Sequence, residues 1–349
     1  MRAATAIPFV VALAPLVGLS QTPAAIRFPQ NPLVSTASSK SLGDNVNGPS
    51  VIRVPRWIQH PLGRYYMYFA HHKGDHIRLA YADSLAGPWK IYEPGVLNVR
   101  DTIFYRPQPD PPESPPSLYT HVASPEIFID ELKHELVMYV HGMWTDGKAW
   151  PTDSQAALKW MREHGYAQFT QTTVSRDGLH FGPRPGISLK TSYLRAFRVN
   201  GGYYGMARLG VLAQAPDPLS PFGLGPNPFD GGPYAQRVRH VAVLLRGKKM
   251  YVFFSAIGDA PEKILLSTIN LENDWTSWKA SSPVEVLAPR EKYECPDLPV
   301  VPSKPGESEG PENALRDPAI FEDGGKVTLF YSVCGEQGIG AADVTTLIK

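Results

Sequence analysis

The chain has 349 residues, with 34 Lys+Arg against 33 Asp+Glu and a formal net charge of +1. This balance argues against nucleic acid as the main partner, because phosphate binding depends on clustered positive charge. The 30 Gly and 35 Pro argue against a helical bundle or a helix-covered parallel sheet, because both residues break helices. Apolar residues make up 43% of the chain, which is enough for a large core, so the chain is not expected to be disordered.

The first 20 residues have the pattern of an export signal. Arg2 is the only charge before Arg27, and the apolar run over residues 3–19 ends in small residues. A positive start, a short apolar segment and a small-residue cleavage site are typical of a secretory signal peptide. We therefore expect residues 1–20 to be removed and residues 21–349 to form a secreted or periplasmic protein that no longer contacts a membrane.

One unit recurs five times along residues 21–349. It consists of a short apolar strand, a turn and a second strand dense in aromatic residues. The first strands are expected at residues 50–54, 126–129, 195–199, 241–245 and 319–321, and the second strands at residues 65–69, 136–140, 203–206, 251–254 and 328–331. A four-stranded sheet cannot bury both faces alone, so such units pack around an axis as the blades of a propeller. The repeat predicts an all-β, single-domain, five-bladed β-propeller.

Two further segments complete this prediction. Residues 26–37 are expected to add the outer strand that closes the ring. Residues 153–164 are predicted as the one short helical insertion, with Asp153 as its cap and Gly165 after its end. Its apolar face would carry Ala156, Ala157, Trp160 and Met161.

The two cysteines, Cys295 and Cys334, both lie in the last fifth of the chain. In an exported protein they could form a disulfide, because that compartment is oxidising. Two buried free thiols are the alternative. Their number excludes a zinc site built on cysteine.

Three segments carry a family resemblance: residues 316–326 (RDPAIFEDGGK), residues 124–130 (SPEIFID), and residues 80–84 (AYADS) leading to Gly87, Pro88 and Trp89. With them the chain resembles the five-bladed β-propeller glycoside hydrolases, the group around families 43, 32, 68, 117 and 130. The resemblance implies a carbohydrate substrate and no required cofactor. Relatives hold a structural calcium or sodium ion in the channel, and the sequence does not decide whether this chain binds one.

Family 43 enzymes of this group use three carboxylates, each at the start of an innermost strand: a base, an acid and a group that tunes the acid. This chain departs from that pattern. Residues 47–50 (NGPS) stand where an Asp would be expected, and residues 192–195 (SYLR) stand where the acid Glu would be. The family 43 triad therefore cannot be carried over in full.

The repeat itself locates a candidate site in the central channel. Alignment of the innermost strands on their turns places one ring of residues at Gly48, Ser124, Tyr193, His240 and Asp317. Strand periodicity then puts a second set on the same side, namely Ser50, Glu126, Arg195, Ala242 and Ala319. In a propeller this side faces the channel, which is the concave place for a ligand.

Three of these residues are the candidate catalytic groups. We expect Asp317 to act as a base or acid-tuning group, with Glu126 or His240 as the proton donor. A histidine acid resembles the case of family 117. In the alternative interpretation, Glu126 and Asp317 form ion pairs with Arg195 or Arg316 and only stabilise the channel.

Asp317 precedes Pro318, so we expect an extended backbone there. This conformation would place the Asp317 carboxylate at the channel mouth. Burial and Glu126 would raise its pKa, and Arg316 would lower it.

The candidate substrate-binding residues lie on the ring, on the loop after the second strand of the first unit and at the channel mouth. They are Arg195, Tyr193, Ser124, Ser50, His71, His72, His121, Arg239 and Arg316. Guanidinium groups suit bidentate binding of carboxylate or sulfate, which favours an acidic or sulfated glycan. Ordinary salt bridges within the protein are the alternative explanation of these arginines.

The leading hypothesis is a secreted glycoside hydrolase that cleaves a polysaccharide or oligosaccharide by acid/base hydrolysis in the channel. A propeller that binds glycan without catalysis is the second hypothesis, which the missing carboxylates favour. A lyase acting on a uronate, with His240 or Tyr193 as base, is the third.

Overall fold

The computed structural model describes residues 25–107, 119–146, 148, 151 and 153–349. Over these ranges, β-strands form five antiparallel sheets, each of four or five strands. Contacts between the innermost strands of neighbouring sheets close a ring. The five-bladed propeller predicted from the repeat is therefore confirmed, whereas the predicted signal peptide over residues 1–20 lies outside the described residues.

The strands follow the chain from the innermost to the outermost position of each blade. Blade 1 contains β3 (Asn47–Arg53), β4 (Tyr65–Ala70), β5 (His76–Ala82) and β6 (Lys90–Asn98). Blade 2 contains β7 (Ala123–Asp130), β8 (Glu135–Trp144), β9 (Ala167–Ser175) and β10 (Gly182–Pro183). Blade 3 contains β11 (Arg195–Val199), β12 (Gly202–Met206), β13 (Leu212–Ala215) and β14 (Gly223–Leu224). Blade 4 contains β15 (Val238–Arg246), β16 (Lys249–Ala256), β17 (Ile264–Asn270) and β18 (Val284–Leu287).

Blade 5 joins the two ends of the described chain. It contains β19 (Arg316–Asp323), β20 (Lys326–Val333) and β21 (Gly338–Asp343), and its outer positions are filled by β1 (Ile26–Arg27) and β2 (Val34–Ser35). Ile26 pairs with Asp343 and Val34 with Ile339, both on β21. The ring is thus closed by residues 26–37 as predicted.

The core lies between the blades, in five hydrophobic clusters that each join two neighbouring sheets. The aromatic second strands explain this arrangement, because both of their faces are covered. Tyr66, Tyr68 and Phe69 on β4 are fully buried, as are Phe253 and Phe254 on β16. Apolar burial of this kind stabilises by about 25 cal/mol per Å², and the sheet-on-sheet contacts supply most of it.

The helical insertion is α1 (Ser154–His164), which lies between β8 and β9. The Asp153 carboxylate accepts a hydrogen bond from the Ala156 N–H at 2.7 Å, and Gly165 ends the helix in a left-handed conformation. Ala157 and Met161 are buried against Met143 and Tyr166, whereas Ala156, predicted on the same face, is exposed. None of the described helices has the length and apolar character needed to cross a bilayer.

Three innermost strands begin with a bulge in which an extra residue precedes a proline. The register shifts lie between Asn47 and Ser50 on β3, and at the equivalent places on β7 and β19. The bulged residues Gly48, Ser124 and Asp317 have φ values of 60°, 46° and 52°. The extended backbone expected for Asp317 is therefore wrong: the bulge outweighs the preference that the following proline imposes.

Cys295 and Cys334 form a disulfide. The bond links the loop before β19 to the turn after β20. Of the two alternatives left open by the sequence, the structure selects the disulfide.

Candidate active site at the channel mouth

The main cavity lies at the mouth of the central channel and has a volume of about 540 Å³. One wall is apolar and is formed by Met143, Met161, Tyr166 and Ile257. Met161 belongs to α1, and Tyr166 lies between α1 and β9, so the helical insertion shapes one side of the site. The size is that of a small-molecule or oligosaccharide site.

The remaining wall of this cavity is cationic. Lys190, Arg208 and Arg239 line it together with His72, and none of the described lining residues is Asp or Glu. Arg239 is held in place, because its Nε donates to Glu262 at 2.7 Å and its Nη1 to the Gly306 carbonyl at 3.0 Å. Lys190 and Arg208 form no ion pair with any described residue, so their charges are open to a ligand.

Tyr193 forms part of the cavity wall, and His240 lies directly against it. The centroids of the two rings are 3.8 Å apart, and the ring planes meet at 83°. Tyr193 starts the third blade with a φ of 62°, a conformation that costs about 1–3 kcal/mol for a residue other than glycine. His240 and Asp317 do not line the cavity themselves; they are buried beside Tyr193.

His240 and Asp317 form a hydrogen-bonded pair, from His240 Nδ1 to Asp317 Oδ1. The other carboxylate oxygen accepts from the Ser332 hydroxyl at 3.0 Å. Because Nδ1 is engaged with a carboxylate, it carries the ring proton, and Nε2 is left with the lone pair. His240 Nε2 is buried and has no hydrogen-bond partner among the described residues.

The charges of this pair follow from its surroundings. Burial raises the pKa of Asp317, but His240 and Arg316 outweigh it and hold the pKa below its ordinary value. Burial lowers the pKa of His240, and Asp317 restores only part of that loss. At neutral pH the pair is therefore a carboxylate and a neutral imidazole. Glu336, and not Glu126 as we expected, is the carboxylate whose charge raises the pKa of Asp317.

His141 is a member of the site that the sequence analysis missed. It is buried near the end of β8, and its ring centroid lies 4.3 Å from that of Tyr193. Burial lowers the pKa of His141 well below its ordinary value, so the ring is neutral. Tyr193 is thus held between two neutral imidazoles. The sequence feature that could have identified His141 is its position as the single histidine in the apolar stretch over residues 136–144.

A second histidine–carboxylate pair joins His72 and Glu336, whose Nδ1 and Oε2 atoms are 3.3 Å apart. Glu336 also accepts from Arg316 Nη1 at 3.3 Å. Arg316 is 1% exposed and pairs with Glu262 and Glu312 as well. The expectation that Arg316 contacts substrate is therefore wrong, because all of its charge is used inside the protein. Glu336 was not found from the sequence, although it follows a second strand as His72 does.

Glu126 lies in a different compartment, a small cavity deeper in the channel that Ser50, Arg195, Ala242 and Ala319 also line. Arg195 Nη1 donates to Glu126 at 2.5 Å, and Ser50 donates to it at 3.1 Å. Burial raises the pKa of Glu126, and Arg195 and Ser50 oppose the rise. Glu126 and Asp317 were expected to meet on the channel side of the innermost strands. They do not meet, because each is hydrogen-bonded to a different partner.

The channel ion implied by the resemblance does not fit these residues. The Arg195 guanidinium already bonds the inward-facing carbonyls of Pro49, Pro125, Pro318 and Val241, at 3.0–3.5 Å. A cation among the same carbonyls would be repelled by the guanidinium. No group of three or more His, Cys, Asp or Glu residues is placed to hold a metal ion within the described ranges.

The other predicted binding residues lie outside the main cavity. His71 pairs with the exposed Asp44 at 2.9 Å, and His121 is buried with Nδ1 at 2.6 Å from the Tyr119 carbonyl. Ser124 is buried in its bulge beside Gly48. A Cβ at Gly48 would lie 3.4 Å from the Ser124 hydroxyl, and Gly48 has no side chain to supply the carboxylate expected in this unit.

No family model matches the chain. A protein of Acanthamoeba polyphaga mimivirus, named "Uncharacterized protein R118", is 31% identical to it over 338 residues, which cover 91% of this chain and 89% of that protein.

Among solved structures, an α-L-arabinofuranosidase from Lactobacillus brevis aligns with a TM-score of 0.54 and 12% identity, over 90% of this chain and 92% of that one. A structure described under "The GH130 family of mannoside phosphorylases contains glycoside hydrolases that target beta-1,2 mannosidic linkages in Candida mannan" aligns with a TM-score of 0.58 and 12% identity, over 92% and 93%. At these identities the likeness shows the fold.

Proposed function

We propose that this protein is an enzyme of the glycoside hydrolase type that cleaves a polysaccharide or oligosaccharide at the channel mouth. The chain belongs to the same family as the mimivirus protein, and the proposal is argued from its own fold and cavity. The observation that carries the proposal is the Tyr193 side chain on the cavity wall with the His240–Asp317 pair behind it. The fold supports it, because the solved propellers that it resembles include glycoside hydrolases.

Hydrolysis breaks the bond between the anomeric carbon and the glycosidic oxygen and adds water across it. One group must protonate the leaving oxygen, and another must take a proton from the attacking water. His240 Nε2 is the proton acceptor and Asp317 positions it through Nδ1. Because the ring lies beside Tyr193 and off the cavity wall, the proton reaches it through one bridging water. Tyr193 contacts the sugar. Burial raises the pKa of Tyr193 to about 12, so its hydroxyl stays protonated and acts as a hydrogen-bond donor.

The charge of the cavity favours an acidic or sulfated glycan. Lys190 and Arg208 are unpaired cations on a wall that holds no carboxylate among the described residues. In such a cavity an anionic group gains Coulomb attraction and meets no like charge. A carboxylate or sulfate on the sugar is therefore the substrate feature that this wall would recognise.

We further propose that the mature protein is residues 21–349 and that it acts outside the cell or in the periplasm. The signal-like segment over residues 1–20 supports export. The Cys295–Cys334 disulfide supports the same proposal, because disulfides persist in oxidising compartments.

A uronate lyase is the second candidate, and the absence of carboxylates from the described cavity wall favours it. In that reaction His240 Nε2 would take the proton, through the same bridging water, from the carbon next to the sugar carboxylate. The electron pair would form a ring double bond as the glycosidic oxygen leaves and takes a proton from solvent; His240 then returns its proton to solvent. Lys190 or Arg208 would neutralise the charge that develops on the substrate carboxylate.

One screen separates these candidates. The purified protein is incubated with uronate-containing, sulfated and neutral glycans, and both new reducing ends and the ultraviolet absorbance of unsaturated sugars are recorded. Reducing ends without absorbance support the hydrolase, and reducing ends with absorbance support the lyase. Binding by calorimetry without either product contradicts both and identifies a glycan-binding propeller. Cleavage limited to neutral glycans contradicts the proposal that the substrate is acidic or sulfated.

A further inference from the structure

We propose that His72, held by Glu336, is the proton donor to the leaving glycosidic oxygen, a role that rests on the proposed function. The structure offers this site independently of the His240–Asp317 pair. The two histidines belong to different blades, and only His72 lies on the wall of the cavity.

The first support is the orientation of the His72 ring. His72 lies just after β4, and its backbone N–H donates to Asn45 Oδ1 at 3.2 Å. Its Nδ1 lies 3.3 Å from Glu336 Oε2. Its side chain is 11% exposed, and its Nε2 has no hydrogen-bond partner among the described residues. The Nε2 edge is therefore the part of the ring that a substrate in the cavity can reach.

The second support is the rigidity of Glu336, which is 2% exposed. Its Oε2 accepts from Asn45 Nδ2 at 2.6 Å and from Asn47 Nδ2 at 3.0 Å, and its Oε1 accepts from Arg316 at 3.3 Å. A carboxylate with this many donors stays ionised. It can only accept from His72 Nδ1, so the second proton of a charged His72 ring stands on Nε2, facing the cavity.

The third support is the contrast between the two histidines. Burial lowers the pKa of His72, but the adjacent charge of Glu336 outweighs it, and the pKa lies above its ordinary value. The pKa of His240 lies below its ordinary value. Two titratable groups whose surroundings move their pKa values apart form a natural donor and acceptor. The charged and titratable groups around His72 are Glu307, Glu336, Asp317, His141, Lys190, Arg208 and Arg239.

The step balances with water as the only co-reactant. The Nε2 proton of His72 passes to the glycosidic oxygen as that oxygen leaves the anomeric carbon with the bond's electron pair. Water attacks the same carbon, and its proton passes through one bridging water to His240 Nε2, which lies beside Tyr193 and off the cavity wall. His72 then takes a proton from solvent and His240 returns one, so the net reaction is glycoside plus water to sugar plus alcohol.

The test compares two substrates of the sugar identified in the glycan screen: the natural oligosaccharide and a nitrophenyl glycoside. Nitrophenolate leaves without protonation, so it needs no acid. His72→Gln should lower kcat/KM for the oligosaccharide by about 100-fold or more, the scale of a general acid, and by less than about tenfold for the nitrophenyl glycoside. His180→Gln, on an exposed histidine paired with Asp177, is the matched control.

Glu336→Gln gives a second measurement that does not depend on the His72 variant being folded. Loss of the Glu336 charge should lower the pKa of His72, so the alkaline limb of the kcat/KM profile should move to lower pH. Equal losses on both substrates, or no loss for His72→Gln, overturn the proton-donor role while the enzyme function stands. A wild-type protein that cleaves neither substrate overturns the function and this role together.

Discussion

The guanidinium of Arg195 donates to the Glu126 carboxylate at 2.5 Å in the centre of the channel. The remaining N–H groups of Arg195 reach backbone carbonyls of the innermost strands of blades 1, 2, 4 and 5. Since Arg195 itself comes from blade 3, one side chain connects all five blades. Both residues line the small cavity that lies apart from the site at the mouth.

Replacement of Arg195 by Met should destabilise the fold. The change leaves Glu126 buried without its cation and four carbonyls without a donor, a loss of about 3–5 kcal/mol for a broken buried pair. The free energy of unfolding, determined in urea, measures this loss. Arg53→Met removes the exposed pair with Asp323 and should cost at most about 1 kcal/mol. Equal losses for the two variants would show that Arg195 is not the connection between the blades.

Asp317→Asn should keep the fold and lower turnover by about 100-fold or more, the scale of acid–base groups. The amide has the shape of the carboxylate but loses the charge that positions the His240 proton on Nδ1. Turnover on the glycan identified by screening and the melting temperature are measured together. Asp323→Asn, far from the cavity, is the control. Activity within a few-fold of wild type would mean that Asp317 is structural.

Stability should fall as the pH falls through the acidic range, in part because of Glu336. Its folded-state pKa is lowered: burial raises it, but His72 and Arg316 outweigh that effect. The stabilisation is complete above about pH 4.3, the ordinary pKa of glutamate, and is lost as the pH drops towards the folded-state value. Glu336→Gln should be less stable at neutral pH and show a flatter dependence below that pH. An unchanged slope in urea unfolding would contradict this contribution.

Lys190→Gln should weaken binding of an acidic glycan without unfolding the protein, because Lys190 is exposed and unpaired among the described residues. We expect KM to rise about fivefold, which corresponds to about 1 kcal/mol, with kcat nearly unchanged. The rise should shrink at high salt. Lys249→Gln serves as control, since that side chain lies outside the cavity. A KM that does not change would remove Lys190 from substrate recognition.

Loss of the Cys295–Cys334 disulfide should lower the free energy of unfolding by about 4 kcal/mol, the chain-entropy value for a loop of this length, since the two cysteines are 39 residues apart. The Cys295→Ala/Cys334→Ala double variant and the reduced wild type should unfold at the same urea concentration, below that of the oxidised protein. If reduction leaves the midpoint unchanged, the bond does not constrain the unfolded chain.

Much of the fold could be predicted from the sequence because its signals are local. Aromatic second strands, hairpin turns and a five-fold recurrence specify sheets that need neighbours on both faces, and α1 was visible from its cap, its apolar residues and Gly165. The innermost positions could be aligned for the same reason: alternation along a strand places Ser50, Glu126 and Arg195 on the channel side, where the structure has them.

The composition of the site was decided by tertiary structure, because its contacts join residues far apart in the chain. Arg195 pairs with Glu126 and His240 pairs with Asp317 because of the way the five blades converge. No pattern along a single strand predicts these pairs. The burial of Arg316 depends on Glu262, Glu312 and Glu336, which come from three separate loops. Periodicity tells which way a side chain points. Only the closed ring of blades determines which partner neutralises the charge of that side chain and whether solvent reaches it.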